Sequence, residues 1–154
     1  MKNQKLSICI AELVQAKEDL VTSKYQKTHF QVIVRNISQH DVSIWKEWCS
    51  WGYFNLSFVL TDEYENVRII KKRPREWDKN FPDFLILKAD DVFAMNVIFD
   101  SETWENIPIQ ATDKFATTVD MIAVYEIDKT PESKKHGVWT GKIVSEKESI
   151  KYHL

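Results

Sequence analysis

Short apolar segments recur along the chain, and each one ends in polar or turn-forming residues. They are Phe30 to Val34, Phe54 to Leu60, Phe93 to Phe99, Val119 to Ile127 and Val138 to Val144. Apolar and polar residues alternate in most of them, which is the pattern of a strand with one buried face. Seven to nine such strands with turns between them predict an all-β fold, a two-layer antiparallel sandwich.

Two further segments complete the predicted layout. The stretch Arg73 to Pro82 contains two prolines, which have no N–H to give to a sheet, so it predicts a long loop. Ala11 to Leu20 has helical periodicity but no capping residue, and we predict no helix there. In the strand that begins at Phe54, alternate residues starting with Phe54 itself are expected on the inner face.

Several stretches resemble immunoglobulin-like and fibronectin-like bacterial domains. They are Phe30 to Ser38 with Val42, Leu87 to Phe93, Ala123 to Ile127, and Val138 to Gly141. In Leu87 to Phe93, Asp90 or Asp91 stands where those domains usually have glycine. The resemblance implies an immunoglobulin-like sandwich over roughly residues 30–144. Intracellular proteinase inhibitors of bacilli are similar at the same level, although the chain contains no inhibitor-specific motif.

The composition is that of an ordinary globular domain. The 154 residues are 44% hydrophobic and 29% charged, with 3 Gly and 4 Pro, which excludes collagen-like, low-complexity and largely disordered chains. The net charge of −2 gives no overall attraction to nucleic acid or to an anionic membrane. We therefore expect a single domain, residues 1–154, without a nucleic-acid or membrane partner.

The cysteines indicate neither a metal site nor a disulfide framework. Cys9 and Cys49 lie in apolar segments without other ligands at metal spacing, so we expect buried thiols and no metal or cofactor. A bridge between them is the alternative for an exported protein. The N-terminal apolar stretch is broken by Glu12 and lacks a cleavage pattern, so we expect a cytoplasmic protein. Glycosylation patterns at Asn36 and Asn55 are interpreted as chance matches.

The most unusual segment contains three indoles at intervals of three residues, Trp45, Trp48 and Trp51, followed by Tyr53. Such spacing can place side chains on one face of a helical or turn-like segment. The segment predicts an aromatic platform for a sugar, a base or a protein hot spot. The alternative is a hydrophobic plug at one end of the sandwich, and even then we expect one of the three indoles to be exposed.

A basic stretch follows at residues 71–75, where four cations surround a proline. We take Arg73, Arg75, Trp77 and Asp78 as candidate contacts for a phosphate, a carboxylate or an acidic partner. The alternative is a solvated edge whose charges prevent sheets of different molecules from pairing.

Catalysis has little support in the sequence. The four histidines are scattered and the glycines are isolated, so the common metal, phosphate and nucleophile motifs are absent. We interpret the chain as a non-enzymatic binding module with a protein partner, whose contact surface combines Trp45 to Tyr53 with Arg73 to Phe81. The alternatives are a carbohydrate-binding module that uses exposed Trp residues, and a proteinase inhibitor-like domain.

Overall fold

The computed structural model describes residues 4–14, 29–107 and 118–151. Its strands are β1 (Leu6–Val14), β2 (His29–Asn36), β3 (Val42–Trp45), β4 (Leu56–Asp62), β5 (Val67–Lys72), β6 (Phe84–Leu87), β7 (Val92–Ile98), β8 (Trp104–Glu105), β9 (Thr118–Ile127), β10 (Gly141–Val144) and β11 (Glu148–Lys151). The helices are α1 (Ser50–Tyr53) and α2 (Pro131–His136). The prediction of an all-β antiparallel fold is confirmed. The described residues form eleven strands rather than seven to nine, because pieces as short as β8 leave no apolar pattern.

The strands pair in three sheets. They have the orders β1-β2-β7, β10-β9-β4-β5-β8 with β11 also paired to β9, and β3-β6. In the largest sheet β9 is central, with β4 on one side and β10 and β11 on the other. A parallel bridge between Ser43 and Val138 connects β3 to the chain that follows α2.

The core is formed by one face of each strand. Along Leu56 to Leu60 of β4, buried residues alternate with half-buried ones. The rings of Phe58, Phe30 and Phe99 meet edge to face, with centroids between 5.0 and 5.3 Å apart. Phe54, expected on the same inner face, instead follows α1 outside the strand and is 46% exposed. The strand therefore begins two residues later than predicted.

The side chain of Asn36 holds the turn after β2. It is fully buried, and its Nδ2 donates to the backbone oxygens of His40 and Leu87 at 2.7 and 2.8 Å. Its Oδ1 accepts from the N–H and the hydroxyl of Ser38 at 2.9 and 2.7 Å. All hydrogen-bonding positions of the amide are therefore occupied, and the amide fastens the end of β2 to the end of β6.

Two local structures show what the apolar pattern missed. Helix α2 has a capping box in which Thr130 and Ser133 exchange hydrogen bonds, Pro131 in the first turn, and Gly137 at φ 64° after the last turn. Six residues are too few to display an apolar stripe. At the corner before β7, Asp90 has φ 67°, the left-handed region that normally favours glycine.

The thiols have different environments. Cys49 is buried as expected, whereas Cys9 is exposed because it lies on the face of β1 opposite the buried residues Leu6 and Ile8. Neither cysteine forms a disulfide.

The residues Ala11 to Val14 belong to β1, and the rest of Ala11 to Leu20 lies outside the described residues. In the described part of the chain no helix has the length and apolar character needed to cross a bilayer.

Candidate functional site

The three indoles have different environments, although the rings of Trp45 and Trp51 remain in contact, with centroids 6.2 Å apart. Trp45 ends β3 and is 2% exposed in the core, Trp48 is 42% exposed, and Trp51 in α1 is half-buried. The prediction that one of them is exposed is confirmed for Trp48. The prediction that they share one face is wrong, because Trp45 belongs to a strand and only Trp51 belongs to a helix.

Helix α1 lies directly against the end of β3, and Gly52 makes this possible. A Cβ at Gly52 would lie 2.7 Å from the carbonyl carbon of Lys46 and 3.0 Å from the Cβ of Trp45. The thiol of Cys49 also donates to the Lys46 oxygen at 3.2 Å. These contacts fix the position of Tyr53 relative to β3.

The long loop predicted at Arg73 to Pro82 is attached to this helix. Asn80 accepts from the Ser50 N–H at 2.9 Å through Oδ1 and donates to the Ser50 hydroxyl at 2.7 Å through Nδ2. At the end of the loop, the Lys46 ammonium lies 3.2 Å from the Asp83 carboxylate. The two segments expected to form one surface are therefore in direct contact.

Exposed rings and guanidinium groups lie side by side on the outside of this assembly. Trp48 and Phe81 meet edge to face with centroids 4.8 Å apart. The guanidinium carbon of Arg75 lies 4.3 Å from the centroid of Trp77 and 5.5 Å from that of Tyr53. We name the following six residues the aromatic-basic surface: Trp48, Tyr53, Arg73, Arg75, Trp77 and Phe81. Phe81, which is 54% exposed, ends the stretch Arg73 to Phe81 that was predicted as part of the contact surface, although it was not singled out as a candidate contact.

The arginines of this surface are oriented by backbone contacts. Arg73 donates through Nε to the Ser101 oxygen at 2.7 Å, and Arg75 donates through Nε to the Glu76 oxygen at 3.3 Å. Neither guanidinium forms an ion pair with any residue that the structure describes. Both groups can therefore take a carboxylate. Asp78 is exposed beside them in the loop.

Lys72 differs from the neighbouring cations because it is enclosed. Its side chain is 10% exposed, and its Nζ lies 3.6 Å from a Glu47 oxygen and 4.4 Å from the centroid of Tyr53. Burial lowers the pKa of Lys72, the Glu47 carboxylate opposes this change, and Arg75 adds to it by repulsion. The Lys72 ammonium thus contacts the Tyr53 ring inside the assembly and is not available to a protein partner at this surface.

Two polar atoms behind the helix are buried without a hydrogen bond. The Tyr125 hydroxyl and the Asn55 Nδ2 have no partner among the described residues. Burial raises the pKa of Tyr125 and the Glu47 carboxylate adds to this effect, whereas the Asn55 amide opposes it.

A separate groove of about 590 Å³ opens on the outer face of the largest sheet, beside α1. Trp51 and Phe54 line one end, and Val59, Ile69 and Val124 contribute apolar surface. Polar side chains complete the lining: Ser50, Asn55, Ser57, Lys71, Lys72, Glu126, Asp128, Thr130 and Lys142. The sequence pattern did not indicate this groove, because outward faces of four strands combine to form it.

The chain was compared with known proteins. No protein-family model matches it, and no curated protein is significantly similar to it. Across the described ranges, His, Cys, Asp and Glu side chains form no group of three or more that could hold a metal ion.

Proposed function

We propose that this protein is a non-enzymatic interaction module, built on an immunoglobulin-like sandwich, that binds an acidic segment of a partner protein through the aromatic-basic surface. One observation carries the proposal. Two guanidinium groups without an ion pair among the described residues belong to the same surface as four aromatic rings: Arg75 lies over Trp77 and Tyr53, and the rings of Trp48 and Phe81, 42% and 54% exposed, pack on each other. Tryptophan, tyrosine and arginine are the residues most enriched in protein hot spots.

The geometry of the rings favours a protein over a sugar on this surface. A pyranose needs an open, flat aromatic face, but the guanidinium of Arg75 lies over Trp77 at 4.3 Å. Trp48 and Phe81 are inclined at 73° and make no common plane. A protein side chain can instead enter the angle between two rings, where edge-to-face contacts are favourable.

The local charge supports an acidic partner. Residues 71–83 contain five Lys or Arg and three Asp or Glu, a net charge of +2 on a chain whose total is −2. Lys72 and the carboxylate of Asp83 already have partners, so the attraction comes from Lys71, Arg73, Arg75 and Lys79, which outnumber Glu76 and Asp78. Complementary charge of this kind mainly increases the association rate and selects the partner.

The experiment is a selection of random peptides displayed on phage against the purified protein. We expect selected peptides rich in Asp, Glu and apolar residues, with binding that weakens steeply as salt is added. Trp48→Ala and Arg75→Ala should each weaken binding about tenfold or more.

Matched controls separate this surface from general effects. Tyr64→Ala removes a ring that is 72% exposed in the turn between β4 and β5, and Lys147→Ala removes a distant exposed cation. Both should leave peptide binding unchanged. Selection of neutral or basic peptides, or binding that survives both test variants, contradicts the proposal. Turnover in esterase, phosphatase or glycosidase screens contradicts its non-enzymatic part.

A further inference from the structure

We propose that the groove beside α1 binds a short neutral oligosaccharide, at a site distinct from the aromatic-basic surface. Its volume of about 590 Å³ falls within the roughly 300–1,000 Å³ of small-molecule sites. Trp48 and Phe81 do not line the groove, whereas Trp51 and Phe54 do. The two sites therefore use different aromatic side chains.

The charges around the groove largely compensate one another, which favours an uncharged ligand. Lys142 of β10 is the register partner of Glu126 of β9, and opposite charges at paired positions of neighbouring strands attract. On the other side, Lys71 of β5 is paired in the same way with Glu105 of β8. The groove lining contains Lys71, Lys72 and Lys142 against Glu126 and Asp128, a net charge of +1, and Lys72 is already paired with Glu47, so neither an anion nor a cation is strongly preferred.

The lining nevertheless offers many hydrogen-bonding groups. Asn55, Ser57 and Thr130 add amide and hydroxyl groups to the charged side chains of the walls. An uncharged ligand that satisfies so many donors and acceptors of both kinds must itself carry many hydroxyl groups.

Aromatic side chains in the groove can pack against the apolar face of a sugar ring. Phe54 is 46% exposed and lies at the mouth beside Trp51. The C–H face of a pyranose is apolar and packs on such rings, while its hydroxyls remain free to bind polar side chains. The groove therefore offers both an exposed ring and polar side chains. On the aromatic-basic surface, Trp48 and Phe81 are inclined to each other, and Arg75 lies over Trp77.

The test is isothermal titration calorimetry of the whole protein with cellotriose, maltotriose, xylotriose and chitotriose. We expect at least one trisaccharide to bind with a dissociation constant near 1 mM or below. Phe54→Ala should weaken that binding about tenfold. Ser57→Tyr, which places a strand-compatible ring in the groove, should abolish it. Tyr64→Ala removes an exposed ring that belongs to neither site and should have no effect.

Three results overturn the proposal. The first is the absence of heat with all four trisaccharides at about 10 mM. The second is trisaccharide binding that persists in Ser57→Tyr. The third is equally strong binding of octanoate or adenosine with the same dependence on Phe54. Circular dichroism establishes that each variant is folded. Because peptide binding depends on Trp48 and Arg75, its retention in Phe54→Ala and Ser57→Tyr separates a failure here from a failure of the proposed function.

Discussion

The side chain of Asn36 provides the sharpest test of the fold. Asn36→Ala removes four hydrogen bonds at once. Ser38 and His40 are half-buried or exposed, so their polar groups regain water after the substitution. The Leu87 oxygen belongs to a residue that is 3% exposed and loses a donor that water cannot readily replace there.

The expected magnitude follows from these partners. Each of the four lost hydrogen bonds contributes about 1 kcal/mol net. Asn36→Ala should therefore lower the free energy of unfolding by about 3–4 kcal/mol, a large part of the stability of an ordinary domain. Asn36→Asp should cost still more, because an oxygen would replace Nδ2 opposite two carbonyl oxygens.

Urea unfolding followed by tryptophan fluorescence measures both variants, with equal m-values as the sign that only stability changed. Asn96→Ala is the control, since Asn96 is exposed and accepts one hydrogen bond from Gln31. It should cost less than about 1 kcal/mol. A loss below about 1 kcal/mol for Asn36→Ala, or an aspartate variant no less stable than the alanine variant at neutral pH, refutes the reasoning.

Three further predictions concern the site. Gly52→Ala should cost about 1–3 kcal/mol in urea unfolding because its Cβ would press on the Lys46 carbonyl, and an unchanged midpoint contradicts this. Tyr125→Phe should add about 1 kcal/mol at neutral pH, since the hydroxyl is unpartnered among the described residues. The raised pKa of Tyr125 means that the folded state keeps a proton that the unfolded state loses above about pH 10. The wild type should therefore lose stability in that range more steeply than Tyr125→Phe, and equal slopes contradict the assignment. Glu47→Gln should cost more than Lys72→Met, because it leaves the enclosed ammonium without its counter-ion, whereas methionine keeps the apolar stem. Urea unfolding of the two single variants measures the difference, and equal losses contradict it.

Alternation along the chain predicted the strands because the buried face of a strand requires apolar residues at every second position. In β9 every second residue is buried, and in β4 the same pattern is visible from Leu56 onward. The two-residue strand β8 is placed by its pairing with β5 and has no pattern of its own. Such strands become visible only when their partners are known.

The candidate site was predictable in its parts and not in its assembly. The regular spacing of three indoles was misleading, because spacing determines a shared face only within one type of element. Gly52, between Trp51 and Tyr53, was the available sign of close backbone packing. The contact between Asn80 and Ser50 joins residues thirty positions apart, and no local feature of either segment indicates it.

Both asparagines of the glycosylation patterns have their side-chain nitrogens inside the folded protein. A glycan is bulky and requires a surface position. In a host that attaches sugars to nascent chains, modification of Asn36 would prevent its amide from reaching the Leu87 carbonyl. Those molecules could not form the turn that follows β2. Secretion from yeast or insect cells is therefore expected to yield a misfolded glycosylated fraction, which production in the bacterial cytosol avoids.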